Sequence, residues 1–187
     1  MIMAPKMTFI GMTGSLRKGS YNMALLRAAQ TLVPEGVELQ ILPIGDLPLF
    51  NQDYEQSLPP QVQALKDTVK AADAIVFATP EYNYSVPGVL KNAIDWASRP
   101  YGNNSFDDKP VAIMGASGGM SGTARAQYHL RQMFVFLNGH VLNRPEVMVG
   151  AAQEKFDEAG NLTDEKTKAK IKEMLEALTV WVERLRP

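Results

Sequence analysis

The chain has 187 residues, no cysteine, and 19 lysines and arginines against 20 acids, for a net charge of -1 and a pI near 6.1. The lack of cysteine excludes disulfides, thiol nucleophiles and iron–sulfur clusters, and removes the commonest ligands of a structural zinc, so no metal is expected. The near-neutral balance argues against a nucleic-acid partner, whose binders carry a basic stripe or a pI above about 9.

A composition 45% hydrophobic and 21% charged is that of a globular core. No apolar run reaches the roughly 18 residues of a membrane span. Residues 1–6 lack the sections of a secretory signal. A single domain over residues 1–187, working in the cytoplasm away from membranes, is expected.

Residues 8–12 form a short apolar run ending at Gly14, the mark of a buried strand. Residues 22–33 put Leu25, Leu26, Ala29, Leu32 and Val33 on one helical face. Residues 37–42 alternate apolar and polar, a strand with one less buried face. A loop over 43–60 holds four prolines. Residues 61–71 are helical, with Val62, Leu65 and Val69 as the apolar stripe. The run 74–79, stopped by Pro80, is the clearest strand. A helix follows from near Pro87 to Ser98. Residues 111–114 make a fourth strand that runs into the glycine cluster 115–122. A helix over 121–137 carries Leu130, Met133, Phe134 and Leu137, a fifth strand over 141–149 contains Pro145, and a last helix starts around Thr163.

Strands that alternate with helices predict an α/β fold, a five-stranded parallel sheet with right-handed crossovers and helices on both faces. Ligands of such sheets bind at the carboxyl ends of the strands, where strand order reverses. Three loops therefore carry the chemistry. The first, Thr13-Gly14-Ser15-Leu16-Arg17-Lys18-Gly19-Ser20-Tyr21-Asn22, joins a strand to a helix N-terminus and is rich in hydroxyls, with a guanidinium that can fork onto an anion. It has the glycine spacing of a P-loop, but Ser20 stands where the lysine is required, which excludes that ATPase and GTPase site. A phosphate site outweighs a merely capped helix there.

The second loop, Pro80-Glu81-Tyr82-Asn83-Tyr84-Ser85-Val86-Pro87-Gly88, reads equally as a platform for a planar ring or as a strand-end turn with surface tyrosines. The third, 115–122, has Ser117 where a dinucleotide fingerprint needs its second glycine. Its glycines mean close backbone approach or a flexible turn. A phosphate-bearing planar cofactor satisfies all three loops, and FMN is the economical choice.

The run Gly14-Ser15-Leu16-Arg17-Lys18-Gly19-Ser20 with Asn22 resembles the phosphate loop of the NAD(P)H-dependent FMN reductase family. The second loop followed by Leu90-Lys91-Asn92-Ala93-Ile94-Asp95-Trp96 resembles that family's second signature, nearest to its bacterial chromate and quinone reductase branch. The resemblance implies a flavodoxin-like three-layer sandwich with strand order 2-1-3-4-5 and non-covalent FMN. It implies that Ser15, Arg17, Ser20 and Asn22 hold the phosphate. Pro80, Glu81, Tyr82 and Asn83 would line the ring, and Ser117, Gly118 and Gly119 would face its pyrimidine edge. It also implies a homodimer or homotetramer joined through Tyr128 and Glu146, with Arg125 on the same helix.

The expected activity is hydride transfer from NADPH or NADH to flavin N5, then reduction of a small acceptor such as a quinone, chromate, an azo compound or free flavin at the same face. The cofactor carries the chemistry, so no side chain is assigned as acid, base or nucleophile, His129 and His140 included. The competing class is a non-catalytic flavodoxin-type electron carrier or FMN-binding module. Such carriers tend to be strongly acidic, which the -1 balance and Arg17 oppose.

Overall fold

The computed structural model describes residues 7–186, so the reading of residues 1–6 lies outside the described residues. β1 (Met7–Thr13), β3 (Ala74–Ala78) and β4 (Pro110–Ala116) are buried almost throughout, as continuous apolar runs predict for central parallel strands. β2 (Val37–Ile41) is the alternating edge strand. With β5 (His140–Val141) at the other edge, the order is β2-β1-β3-β4-β5 and the pairings between these strands are parallel, the α/β arrangement expected.

The predicted fifth strand divides. β5 pairs with Pro110 and Val111, whereas β6 (Val147–Val149) pairs with Met114, Gly115 and Ala116. Pro145, which has no N–H to give to a ladder, lies between them.

Side-chain alternation along the strands separates two cores. Phe9, Val76 and Met114 pack with α1 (Tyr21–Leu32) and α5 (Glu165–Leu185) on one face. Ile10, Met12, Ile75, Phe77 and Ile113 pack on the other with α2 (Pro60–Ala71), α3 (Gly88–Ala97) and α4 (Ala124–Phe136). The connection leaving β1 therefore crosses one face and the connection leaving β3 crosses the other. Their loops part above the sheet at the carboxyl ends of β1 and β3.

Two boundaries move from the sequence reading. β4 runs on through Gly115 to Ala116 because Gly115 pairs with Met148. α4 starts at Ala124 rather than Ser121, since Gly122 (φ 55°) and Thr123 (φ 67°) sit in the left-handed region, which an α-helix cannot include.

Lys66 of α2 is fully buried and donates to the carbonyls of Ala97 (3.1 Å), Asn103 (2.8 Å) and Arg99, which folds the stretch after α3 around its ammonium. Burial, reinforced by Lys70, lowers Lys66 from 10.5 to about 8. The folded chain releases this proton near pH 8 and the unfolded chain only near 10.5, so the cost of the buried charge fades as pH rises between the two. Denaturant titrations from pH 7.5 to 10.5 should show this rising contribution in the native chain and its loss in Lys66→Met; equal slopes would contradict it.

Candidate functional site

Loop one leaves β1 at Thr13, whose Oγ1 accepts the Ser15 amide at 3.3 Å. It ends at Ser20, the N-cap of α1, whose Oγ accepts the Met23 amide at 3.1 Å. The Ser20 carbonyl takes the Ala24 amide, so the amides of Tyr21 and Asn22 remain as the orphan donors of the helix N-terminus. Ser15 and Ser20 are buried beneath an exposed crest that carries Arg17 and Lys18. This donor set (two hydroxyls, a guanidinium and first-turn amides) matches what a phosphate dianion requires. A Cβ on Gly14 would stand 2.8 Å from Pro87 Cγ, so loops one and two touch there. A shallow cavity of about 440 Å³ opens between them, lined by Gly14, Leu16, Arg17, Tyr82, Pro87 and Val89.

Loop two is a tight hairpin. Tyr82 and Ser85 exchange both backbone bonds (3.1 and 3.0 Å), with Asn83 (φ 50°) and Tyr84 (φ 66°) in left-handed conformations at its tip. A tyrosine in that region is uncommon and needs outside support. Arg125 stacks over the Tyr84 ring at 4.0 Å, and His129 Nδ1 meets Ser85 Oγ at 3.0 Å. Pro80 is buried at the strand end, while the Tyr82 ring is 46% exposed and stands free for stacking.

The Glu81 side chain turns away from the loop. Its Oε2 accepts the amides of Arg125 (3.0 Å) and Ala126 (3.2 Å), and its Oε1 pairs with the Arg125 guanidinium at 3.0 Å. Glu81 therefore caps α4 in place of Thr123, which offers no side-chain cap.

In loop three the glycines divide into two kinds. A Cβ on Gly115 would strike Thr123 Oγ1 at 1.9 Å, and one on Gly122 would strike the Met148 backbone at 2.5 Å, so both serve the packing of α4 onto the sheet. Gly119 has nothing within 4 Å, and Gly118 meets only Gln153 Oε1 at 3.4 Å. Bonds from Ser117 N to Val149 O (3.0 Å) and from Ala151 N to Gly119 O (3.2 Å) hold Ser117, Gly118 and Gly119 above β6, open on the outer side.

Asn22 departs from its expected place. Its Nδ2 donates to Ala116 O and its Oδ1 accepts Ala116 N, both at 2.9 Å, so the carboxamide faces the end of β4 instead of the anion crest. Tyr128 donates to Glu146 at 3.1 Å within the same chain, where the resemblance implied a bond between subunits. Arg125 is engaged by Glu81 and Tyr84.

Some supporting roles are not apparent from the sequence. Gln127, fully buried, donates to Gly122 O, Thr123 Oγ1 and Val147 O. The signal was a glutamine in line with Leu130 and Phe134 on the apolar stripe of α4. Asn92 bonds Phe50 N (2.7 Å) and Pro48 O (2.9 Å), and Trp96 Nε1 also donates to Pro48 O (2.8 Å), which straps the 43–60 loop onto α3. Their spacing of four on one helix was the available sign.

The family described as NADPH-dependent FMN reductase matches residues 7–154. The chain belongs to this family. Within it, the chain is 54% identical over 185 residues to an NAD(P)H-dependent FMN reductase of Pseudomonas aeruginosa, covering 98% of this chain and 100% of that protein. It is 46% identical over 188 residues to an NADPH:quinone oxidoreductase of Arabidopsis thaliana, covering 97% and 94%. The solved structure of the flavoenzyme FerB, an NAD(P)H:acceptor oxidoreductase of Paracoccus denitrificans, superposes with a TM-score of 0.87 at 40% identity over 95% of this chain and 98% of that one.

Removing the carboxylate that ties loop two of this reductase fold to α4 should be costly. Glu81→Ala should lower stability by about 1 to 2 kcal/mol in denaturant unfolding, mostly through the two uncapped amides, since the half-exposed guanidinium contributes little. A change near zero would show that the cap is not stabilising.

Proposed function

We propose that the protein is an FMN-dependent NAD(P)H oxidoreductase that reduces quinones and similar small acceptors. The observation that carries this reading is the convergence of an anion cradle, a free aromatic ring and an open glycine pair on loops one, two and three. When bound, FMN supplies the capacity to take a hydride from NAD(P)H and to return the electrons to an acceptor.

Ser15, Ser20, Arg17 and the first-turn amides of α1 hold the phosphate. Pro80, Tyr82, Asn83 and the backbone of Glu81 set the plane of the ring. Ser117, Gly118 and Gly119 face its pyrimidine edge, and the backbone amides of Gly118 and Gly119 would be the donors there, because the Ser117 amide is held by Val149 O. The Glu81 side chain acts at a distance, through α4. Donor and acceptor would take turns over the one exposed face beside Tyr82. Among the described residues no helix is long and apolar enough to cross a membrane. We place the protein's work in the cytoplasm, where its nicotinamide donor is dissolved.

Purified protein should be yellow or take up FMN, and should oxidise NAD(P)H with a quinone under steady-state conditions. Failure to take up FMN overturns the reading, while uptake without turnover makes the protein a carrier or binding module. Arg17→Ala should weaken FMN by about 1.5 to 3 kcal/mol, the worth of a charge-assisted bond, in a fluorescence titration.

A homodimer or homotetramer using α4 is part of the same proposal. Val135 and Phe136, adjacent on α4 about two turns after Tyr128, are 84% and 76% exposed. Phe136→Asp and Tyr128→Ala should each give a smaller species by light scattering. An unchanged mass in both would remove α4 from the interface.

A further inference from the structure

We infer that Asn22 is a positioning residue, presetting loop three for the flavin ring through Ala116, and that its side chain is not a ligand of the phosphate. This rests on the FMN reading above. β1 and β4 are not neighbours in the sheet, because β3 lies between them. No ladder bond therefore joins the loop that follows β1 to the loop that follows β4. Among the described residues, the two bonds from Asn22 to Ala116 are the direct hydrogen-bond link between these parts, across a separation of 94 residues.

The orientation of the carboxamide is not ambiguous. Its partners are an N–H and a C=O of one residue, so its oxygen and nitrogen can each sit only one way. Asn22 and Ala116 are both 3% exposed, which strengthens the pair and makes either loss costly.

Ala116 is the last residue of β4, and Ser117, Gly118 and Gly119 follow directly. The brace thus fixes where the open glycine pair begins. The backbone amide of Asn22 still lies in the first turn of α1 beside that of Tyr21. One residue performs two separable tasks: its main chain faces the anion crest and its side chain holds the ring-side loop. A substitution of the side chain removes only the second task.

Riboflavin, which carries the ring without the phosphate, separates these roles. Full-length protein stripped of flavin is titrated with FMN and with riboflavin, as native chain, Asn22→Ala, Asn22→Ser and Arg17→Ala. Asn22→Ser keeps a polar group in the first turn but is too short to reach Ala116, and stands in should Asn22→Ala fail to fold. Both Asn22 variants should weaken FMN and riboflavin alike, on the order of tenfold for two lost buried bonds, and keep the preference for FMN within about twofold of native. Arg17→Ala should weaken FMN and spare riboflavin.

Loss of FMN affinity with riboflavin unchanged in the Asn22 variants would make the side chain a phosphate ligand and overturn the inference. A lower unfolding temperature with both affinities intact would overturn it as well, leaving Asn22 merely structural. A native chain that takes up neither flavin overturns the FMN reading itself, a result distinct from both.

Discussion

Burial of the sheet on both faces is the constraint from which the candidate site follows. Phe9 and Ile10 are adjacent in β1 yet belong to different cores, so each face must carry its own helices. A chain that covers both faces by right-handed crossovers has to reverse direction across the sheet, and it does so at β1, which has β2 on one side and β3 on the other. The loops after β1 and β3 then diverge to opposite faces, and the ends of the strands stay uncovered between them. The hydrophobic effect thereby creates a polar opening: backbone donors of loop one and α1 are exposed there because no helix can close over the reversal.

An opening of this kind is useful only if its walls hold still, and polar side chains that turn away from it keep them so. Glu81 pins loop two to the amides of α4, Asn22 pins the end of β4 to α1, and Asn92 with Trp96 pins the 43–60 loop to α3. Each joins segments that the sheet ladder does not join. Glycine completes the arrangement in two ways, by letting α4 descend onto β4 at Gly115 and by leaving backbone uncovered at Gly118 and Gly119. The left-handed Asn83 and Tyr84 are held by the same means, with Arg125 lying between the Tyr84 ring and the Glu81 carboxylate. Preorganised donors of this sort bind a ligand without first having to order themselves.

Much of the fold was legible in advance. The run 74–79 and the stripe Val62, Leu65 and Val69 lie where the apolar pattern put them, because a strand buried on both faces reads as a continuous apolar run and a helix buried on one face repeats every 3.6 residues. The glycine-rich stretch was less legible. Nothing in its order distinguishes Gly115 and Gly122, which face protein atoms, from Gly118 and Gly119, which face open space. The start of α4 was misjudged for the same reason, since the left-handed turn at Gly122 and Thr123 exists only against β6. The split of the fifth strand was half visible, as Pro145 marked the interruption but not that both pieces would pair with β4.

By itself the sequence determined the fold class and the family, and marked the three loops of the candidate site, because these rest on local spacing: apolar period, helix-start residues, and the runs from Gly14 to Asn22 and from Pro80 to Trp96. Only the tertiary structure decided which of the polar residues in those runs face the opening. Glu81 and Asn22 have the chemistry of ligands, but their partners lie 44 and 94 residues away, and hydrogen bonds of that reach leave no trace in local order.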